Sequence, residues 1–264
     1  MTIHDDPNRT PPPEASDSDE SQSIALTIDR VLEILETGTI DAEHGSIRWS
    51  SNYTFLTSVV KDDVSLMAVY KPQRGERPLW DFPDGTLCMR ERAAFITSQA
   101  LGWEVVPPTA LREGPRGLGS VQFFIDHDPN YNYFAFDKAL LPQLMRLAVF
   151  DVIINNADRK GGHCIVDSED HLWGIDHGIT FHSAHKLRTV IWNFAEQPIP
   201  DTYLDDLETL LIHLDDPQDP YTCELGRLLS PGEISAFKRR IRKLLDTRRY
   251  PIPGPGPNYP WPPV

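Results

Sequence analysis

The sequence predicts an α+β fold in two lobes, strand-rich first and helical second. Two observations carry this. Short apolar runs separated by turn residues fill the first half, SLMAVYKP among them, whereas the second half carries long apolar-periodic segments, the longest being Phe134 to Asn156. A third observation sets the scale: 264 residues with 40% hydrophobic content suffice for one large domain or two small lobes.

The elements follow in order. Residues 1–22 are rich in Pro, Ser, Asp and Glu and read as a disordered acidic tail. A helical pattern starts at Ser23, with Ile24, Leu26, Val31, Leu32 and Ile34/Leu35 on one side and Gly38 as the stop. Thr39 to Lys71 reads as strands, ending in the apolar run that closes with Lys71 and Pro72. Gln73 to Gly85 is a loop full of Gly and Pro. Residues 87–101 read as an amphipathic helix stopped by Gly102, and Trp103–Thr109 and Gly119–Ile125 as two further strands. Phe134 to Asn156 predicts one or two buried helices. Asp158 to His177 predicts loop, strand, turn and strand, and the chain to about Arg249 is expected to be helical. The tail PIPGPGPNYPWPPV excludes helix and central strand and is expected to be disordered. The boundaries are therefore 1–22, 23–125 for the first lobe, 126–249 for the second, and 250–264 for the proline-rich tail.

A net charge of −14 argues against nucleic-acid binding, which needs clustered Lys and Arg, and against electrostatic attachment to anionic lipid. No apolar run approaches the roughly 18 residues that span a bilayer, so stable membrane insertion is not expected. The acidic N-terminus lacks an apolar signal segment, and Cys88, Cys164 and Cys223 show neither metal spacing nor a disulfide framework. A cytoplasmic, reducing location is the expectation.

The stretch from Leu147 to Phe181 carries the chemistry. An apolar helix runs into Asn155-Asn156-Ala157-Asp158-Arg159, which places a carboxylate at a helix-to-loop junction. His163 follows, then a short strand, the acidic turn SEDH, and a second strand, LWGID, ending in Asp176 before His177-Gly178. A hairpin of this length returns Asp176 towards Asp158. Two acids so placed divide the work of phosphoryl transfer: one orients the attacking hydroxyl, the other binds Mg²⁺. Gly178 is expected to supply the backbone freedom needed after a metal ligand. Upstream, Lys71 leaves one edge of the sheet, and Glu91 on the following helix is placed to pair with it.

NNADRKGGH followed by WGIDHGITF resembles the catalytic and metal-binding segments of the phosphoinositide 3/4-kinase-like families. The resemblance is nearest to type II phosphatidylinositol 4-kinases and their bacterial relatives, and more distant to HipA-type kinases. The chain is also similar to an actinobacterial family carrying YKPQRGERPLWDFPDGTL. Over about residues 45–200 this implies a protein-kinase-like fold that transfers the γ-phosphate of ATP to a hydroxyl. It implies Asp158 as the catalytic aspartate, His163 and Asp176 as ligands of Mg²⁺ or Mn²⁺, Lys71 on the phosphates and Glu91 orienting Lys71. Two departures stand out. His163 replaces the usual Asn and suits Mg²⁺ less well than Mn²⁺ or Zn²⁺. No G-x-G-x-x-G is present, so Ser50, Ser51 and Asn52 fall where a phosphate loop would lie. The strand Val121–Ile125, with Gln122, Phe123, Phe124 and Ile125, is expected to form the hinge that reads adenine. The acceptor is an unidentified protein or small molecule, a lipid being the weakest choice. The alternatives are a pseudokinase or nucleotide-binding scaffold, or nucleotidyl transfer on the same fold.

Other residues have plainer readings. Arg159 is a salt-bridge partner for a nearby acid, and Asn155 and Asn156 end a helix, Asn156 also being placed to orient the catalytic loop. His177 is a spacer. Lys186, Arg188 and Trp192 form a surface helix or an anion site, and Tyr259 and Trp261 lie in the disordered tail or dock on a surface.

Overall fold

Thr27 opens the first helix, α1 (Ile28–Thr37), by accepting a hydrogen bond from the Arg30 amide on its side-chain oxygen. In the computed structural model residues 26–46 and 53–264 are described. The tail 1–22, the predicted start at Ser23, and Ser50, Ser51 and Asn52 lie outside them. Gly38 ends α1 by close approach: a Cβ there would stand 2.6 Å from the Ile34 carbonyl oxygen and 2.9 Å from Val59.

Five strands follow: β1 (Thr39–Ser46), β2 (Phe55–Lys61), β3 (Val64–Pro72), β4 (Thr109–Gly114) and β5 (Gly117–Phe123). They pair antiparallel throughout in the order β1-β2-β3-β5-β4. Alternation along β3 buries Leu66, Ala68 and Tyr70 on one face. These residues join Val31, Ile34 and Leu35 of α1 and Phe55, Val59 and Val121 of the sheet in a small apolar core. Lys71 takes the opposite face. The predicted strand Trp103–Thr109 is not one. Pro107 and Pro108 lack the amide hydrogens a ladder needs, so pairing begins only at Thr109. Trp103 is instead buried, its indole donating to Asp206 at 2.7 Å.

Between β3 and β4 lies α2 (Leu87–Ala100). The helix expected at 87–101 forms, but it is not amphipathic. Residues from Leu87 to Ser98 are buried on nearly every side, Arg90 and Glu91 among them. Glu76, from the preceding loop, caps the helix by accepting from the Leu87 and Cys88 amides at 3.1 and 2.8 Å. The apolar side chains of α2 belong to the larger core of the second lobe.

That lobe contains α3 (Leu141–Ile154), the hairpin β6 (Cys164–Val166) and β7 (Leu172–Gly174), and the helices α4 (Asp201–Asp215), α5 (Pro220–Leu228) and α6 (Pro231–Thr247). The helix predicted from Phe134 begins seven residues later. Asp128, Asn132 and Asp137 each accept a backbone amide two residues on, which holds residues 128–139 in successive turns. Residues 177–200 are irregular rather than helical, so Lys186, Arg188 and Trp192 sit on an extended segment. The prolines of 250–264 exclude helix and strand as expected, but the tail is docked. The Asn258 carbonyl accepts from the Thr189 amide and the Trp192 indole, and the Pro263 carbonyl accepts from the Gly161 amide at 2.8 Å. The rings of Tyr259 and Trp261 are exposed. Among the described residues no helix is long and apolar enough to cross a membrane.

Candidate active site

The site is built from three pieces of chain that meet under the sheet. β3 delivers Lys71, whose ammonium donates to Glu91 at 2.6 Å and to Asp176 at 2.9 Å. Glu91 comes from the buried α2, and its second carboxylate oxygen accepts the His177 amide at 3.0 Å. One carboxylate thus holds both the lysine and the backbone beside Asp176. The arginines that flank Glu91 have partners of their own: Arg90 pairs with Glu233 and Arg92 with Glu224. Burial pulls Lys71 towards neutrality, but Asp176 and Glu91 outweigh it and hold the ammonium well above its usual range. The Lys71 charge is in turn the leading reason that Asp176, whose side chain is 45% exposed, stays far below the usual carboxylate range.

The residue in left-handed backbone here is Asp176 itself, at φ 60°, not the glycine two positions on. At Gly178 a Cβ would stand 3.4 Å from Leu87 and 3.6 Å from the Glu91 carboxylate, ordinary contact distances, so neither its backbone nor its surroundings require a glycine.

The third piece is the loop after α3. Asn155 caps that helix in left-handed conformation, and its side chain ties down residues 182–186 through three hydrogen bonds. Asn156 donates to Asp151 and accepts the Asp158 amide, which orients the loop. Arg159 is fully buried, and its five N–H groups meet five acceptors. Two go to Asp151 at 2.8 and 2.9 Å, two to the carbonyls of His163 and Ile175 at 2.9 Å, and one to His177 Nε2 at 2.7 Å. A single guanidinium therefore fixes both strands of the hairpin. His177 is no passive spacer: it is buried, stands edge-on to Phe150, and accepts from Arg159, which leaves the hydrogen on Nδ1.

Lys71, Glu91, Asp158 and Asp176 line one cavity. Burial, with Asp176 adding to it against the opposing pull of Lys160, raises Asp158 to about 6. Lys160 lies 3.5 Å from that carboxylate. His163 hangs between the two acids: Nδ1 meets the Asp158 carbonyl at 3.0 Å and Nε2 faces Asp176 at 3.3 Å. Burial lowers it to about 4, so the ring is neutral near pH 7. Among the described residues no group of three or more His, Cys, Asp or Glu is gathered as a metal cage.

The structure does not bring the expected hinge residues to that cavity. Gln122 turns its amide to Thr109, the Phe123 and Phe124 amides bond to Pro108 and Met67, and Ile125 is buried. Three site residues escaped the sequence reading: Glu76, Asp151 and Lys160. Asp151 carried a usable signal, being an acid inside the apolar run LAVFDVII, where a buried charge demands a partner.

No family model matches this chain. Phosphatidylinositol 4-kinase gamma 4 of Oryza sativa subsp. japonica is 30% identical over 149 residues, covering 47% of this chain and 26% of that protein. Its namesake in Arabidopsis thaliana is 26% identical over 139 residues, covering 43% and 25%. The chain thus spans about a quarter of the length of these plant relatives. Among solved structures it is similar to the Helicobacter pylori proinflammatory kinase CtkA, with a TM-score of 0.43 and 13% identity over 80% of this chain and 98% of that one. Protein Rv2133c of Mycobacterium tuberculosis (strain ATCC 25618 / H37Rv) is 39% identical over 253 residues, 83% of this chain and 90% of that protein. On that extent of similarity, the chain belongs to the family of Protein Rv2133c.

Proposed function

We propose that this protein is an ATP-dependent phosphotransferase of kinase type that acts on a hydroxyl acceptor. The observation that carries the reading is the ammonium of Lys71, held against Glu91 and Asp176 in a cavity shared with Asp158. Similarity to two plant phosphatidylinositol 4-kinases supports the class.

Each residue has work to do in such a reaction. Lys71 would bind the phosphates, with Glu91 keeping its ammonium in place. Asp158, raised to about 6, is ionised at neutral pH yet basic enough to accept a hydrogen bond, and eventually a proton, from the acceptor hydroxyl. Lys160, beside Asp158, is placed to balance charge on the transferring group. The donor set formed by Asp176 and His163 fits a divalent cation, Mg²⁺ or Mn²⁺: the carboxylate is ionised, the imidazole is neutral, and the two face one another. When bound, that ion neutralises phosphate charge.

Transfer of label from ATP carrying a radioactive γ-phosphate tests this. The expected result is metal-dependent transfer that Asp176→Ala abolishes, a loss of at least about 10³-fold. Undiminished activity in that variant removes Asp176 from the mechanism, and transfer of an α-label instead identifies nucleotidyl transfer.

A further inference from the structure

The connection between β3 and α2, residues 73–86, touches both halves of the site. Near its start Glu76 accepts from the Leu87 and Cys88 amides and lines the cavity that holds Lys71, Glu91, Asp158 and Asp176. Further along, Asp81 accepts from the Lys186 ammonium at 2.6 Å. Two bonds within the connection stiffen it: the Gln73 amide donates to the Gly85 carbonyl and the Thr86 hydroxyl to the Pro83 carbonyl, each at 2.7 Å. Its rings are engaged as well. Phe82 stands edge-on to His182 with ring centroids 5.1 Å apart and lies beneath the Arg90 guanidinium at 4.9 Å. The Lys186 ammonium sits 5.1 Å from the centre of the Trp80 ring.

The Lys186 charge is thus taken up by Asp81 rather than left for an anion. Its backbone is fixed separately. The Lys186 amide donates to the Asn155 side chain, which also donates to the carbonyls of His182 and Ala184. Asn155 caps α3 at the start of the loop that carries Asp158. The Asp81–Lys186 pair therefore ties the connection between Lys71 and Glu91 to the Asp158 loop.

Both side chains of the pair are largely withdrawn from water, at 14% and 16% exposed. Salt and water screen such a pair less than a surface one, and either charge left alone bears the cost of its own burial. Glu76 is a charged cap on the first turn of α2, and Glu91 lies one turn further along the same helix. We propose that Asp81 and Lys186 are positioning residues. Their ion pair clamps residues 73–86 to residues 182–186, and Glu76 passes that constraint to the first turn of α2, so that Glu91 keeps the Lys71 ammonium between itself and Asp176. This rests on the phosphotransferase reading only for the kinetic half of its test.

The test is amide hydrogen exchange of the full chain, joined to transfer of label from ATP. In Asp81→Asn and in Lys186→Met the Leu87 and Cys88 amides should exchange about tenfold faster, while those of Phe237 and Ile241, in the core of the second lobe, keep their rates. Exchanging the two charges, Asp81→Lys with Lys186→Asp, should restore slow exchange. In the same variants kcat/KM should fall about tenfold, yet by no more than about twofold where Glu91→Gln is already present, because the clamp acts through Glu91. Unchanged exchange at Leu87 and Cys88, a rise spread evenly over both lobes, or full additivity with Glu91→Gln overturns the inference. If the unaltered protein transfers no label but exchange responds as expected, the clamp stands and the phosphotransferase reading falls. Should Asp81→Asn not fold, Lys186→Met carries the same expectations.

Discussion

Lys71 and Glu91 meet at 2.6 Å but belong to different bodies. Lys71 rides on the sheet, whose apolar face packs with α1 in a small core of its own. Glu91 rides on α2, which lies before β4 in sequence yet is anchored in the helical lobe through Ala93, Ala94, Phe95 and Ile96. Ion pairs extend that anchorage, Arg90 to Glu233 in α6 and Arg92 to Glu224 in α5. The comparison teaches that the lysine–glutamate pair is a joint between two cores rather than a fitting inside one lobe. It registers the position of the sheet relative to the loops that carry Asp158 and Asp176.

The largest effect should come from damage to the larger body. Asp151→Ala leaves the Arg159 guanidinium buried without its carboxylate and should cost about 3–5 kcal/mol by urea denaturation. A cost below about 1 kcal/mol would mean that Arg159 does not hold the hairpin. Next is the anchorage of α2. Arg90→Ala strips Glu233 and the Thr180 carbonyl of their donor and should cost about 2–3 kcal/mol. The joint itself should behave differently. Glu91→Gln should lower kcat/KM by about 10–100-fold while the thermal midpoint barely moves, because neutral Gln keeps the shape and loses the charge that holds Lys71. In a double-mutant cycle Lys71→Met should add little to Glu91→Gln, and full additivity would show that the two residues act separately. The smallest effect compares a cap from each body. Ser230→Ala removes the reciprocal capping box of α6 and should cost about 1 kcal/mol, more than Thr27→Ala at the single-bonded cap of α1.

What was legible in sequence was local. The alternation ending in Lys71 and the apolar helix ending before Asp158 were each carried by a run of a few residues. So was the short hairpin returning to Asp176, where turn chemistry and pleat decide the outcome. What was not legible depends on distant partners. Nothing near Arg90 announces that Glu233, far along the chain, will neutralise it. A helix with charges spaced round it therefore read as amphipathic, although it is buried on nearly every side. The same holds for Arg159, whose salt-bridge reading named no partner and could not foresee two carbonyls and a histidine as well. The strand placed at Trp103–Thr109 was avoidable, since Pro107-Pro108 already ruled out a ladder there. Asp137 likewise marked a turn ahead of α3 that apolar periodicity outvoted.

The way the last fifteen residues lie has a practical consequence. A terminus so crowded with prolines invites trimming before expression, on the view that it is slack. Here such trimming would remove the oxygen that receives the Gly161 amide, midway between Asp158 and His163, and the Asn258 carbonyl that secures Thr189 and Trp192. A shortened protein should keep its secondary structure by circular dichroism yet exchange the Gly161 amide hydrogen faster. Rates measured on it would describe an Asp158 loop that had lost its outer wall.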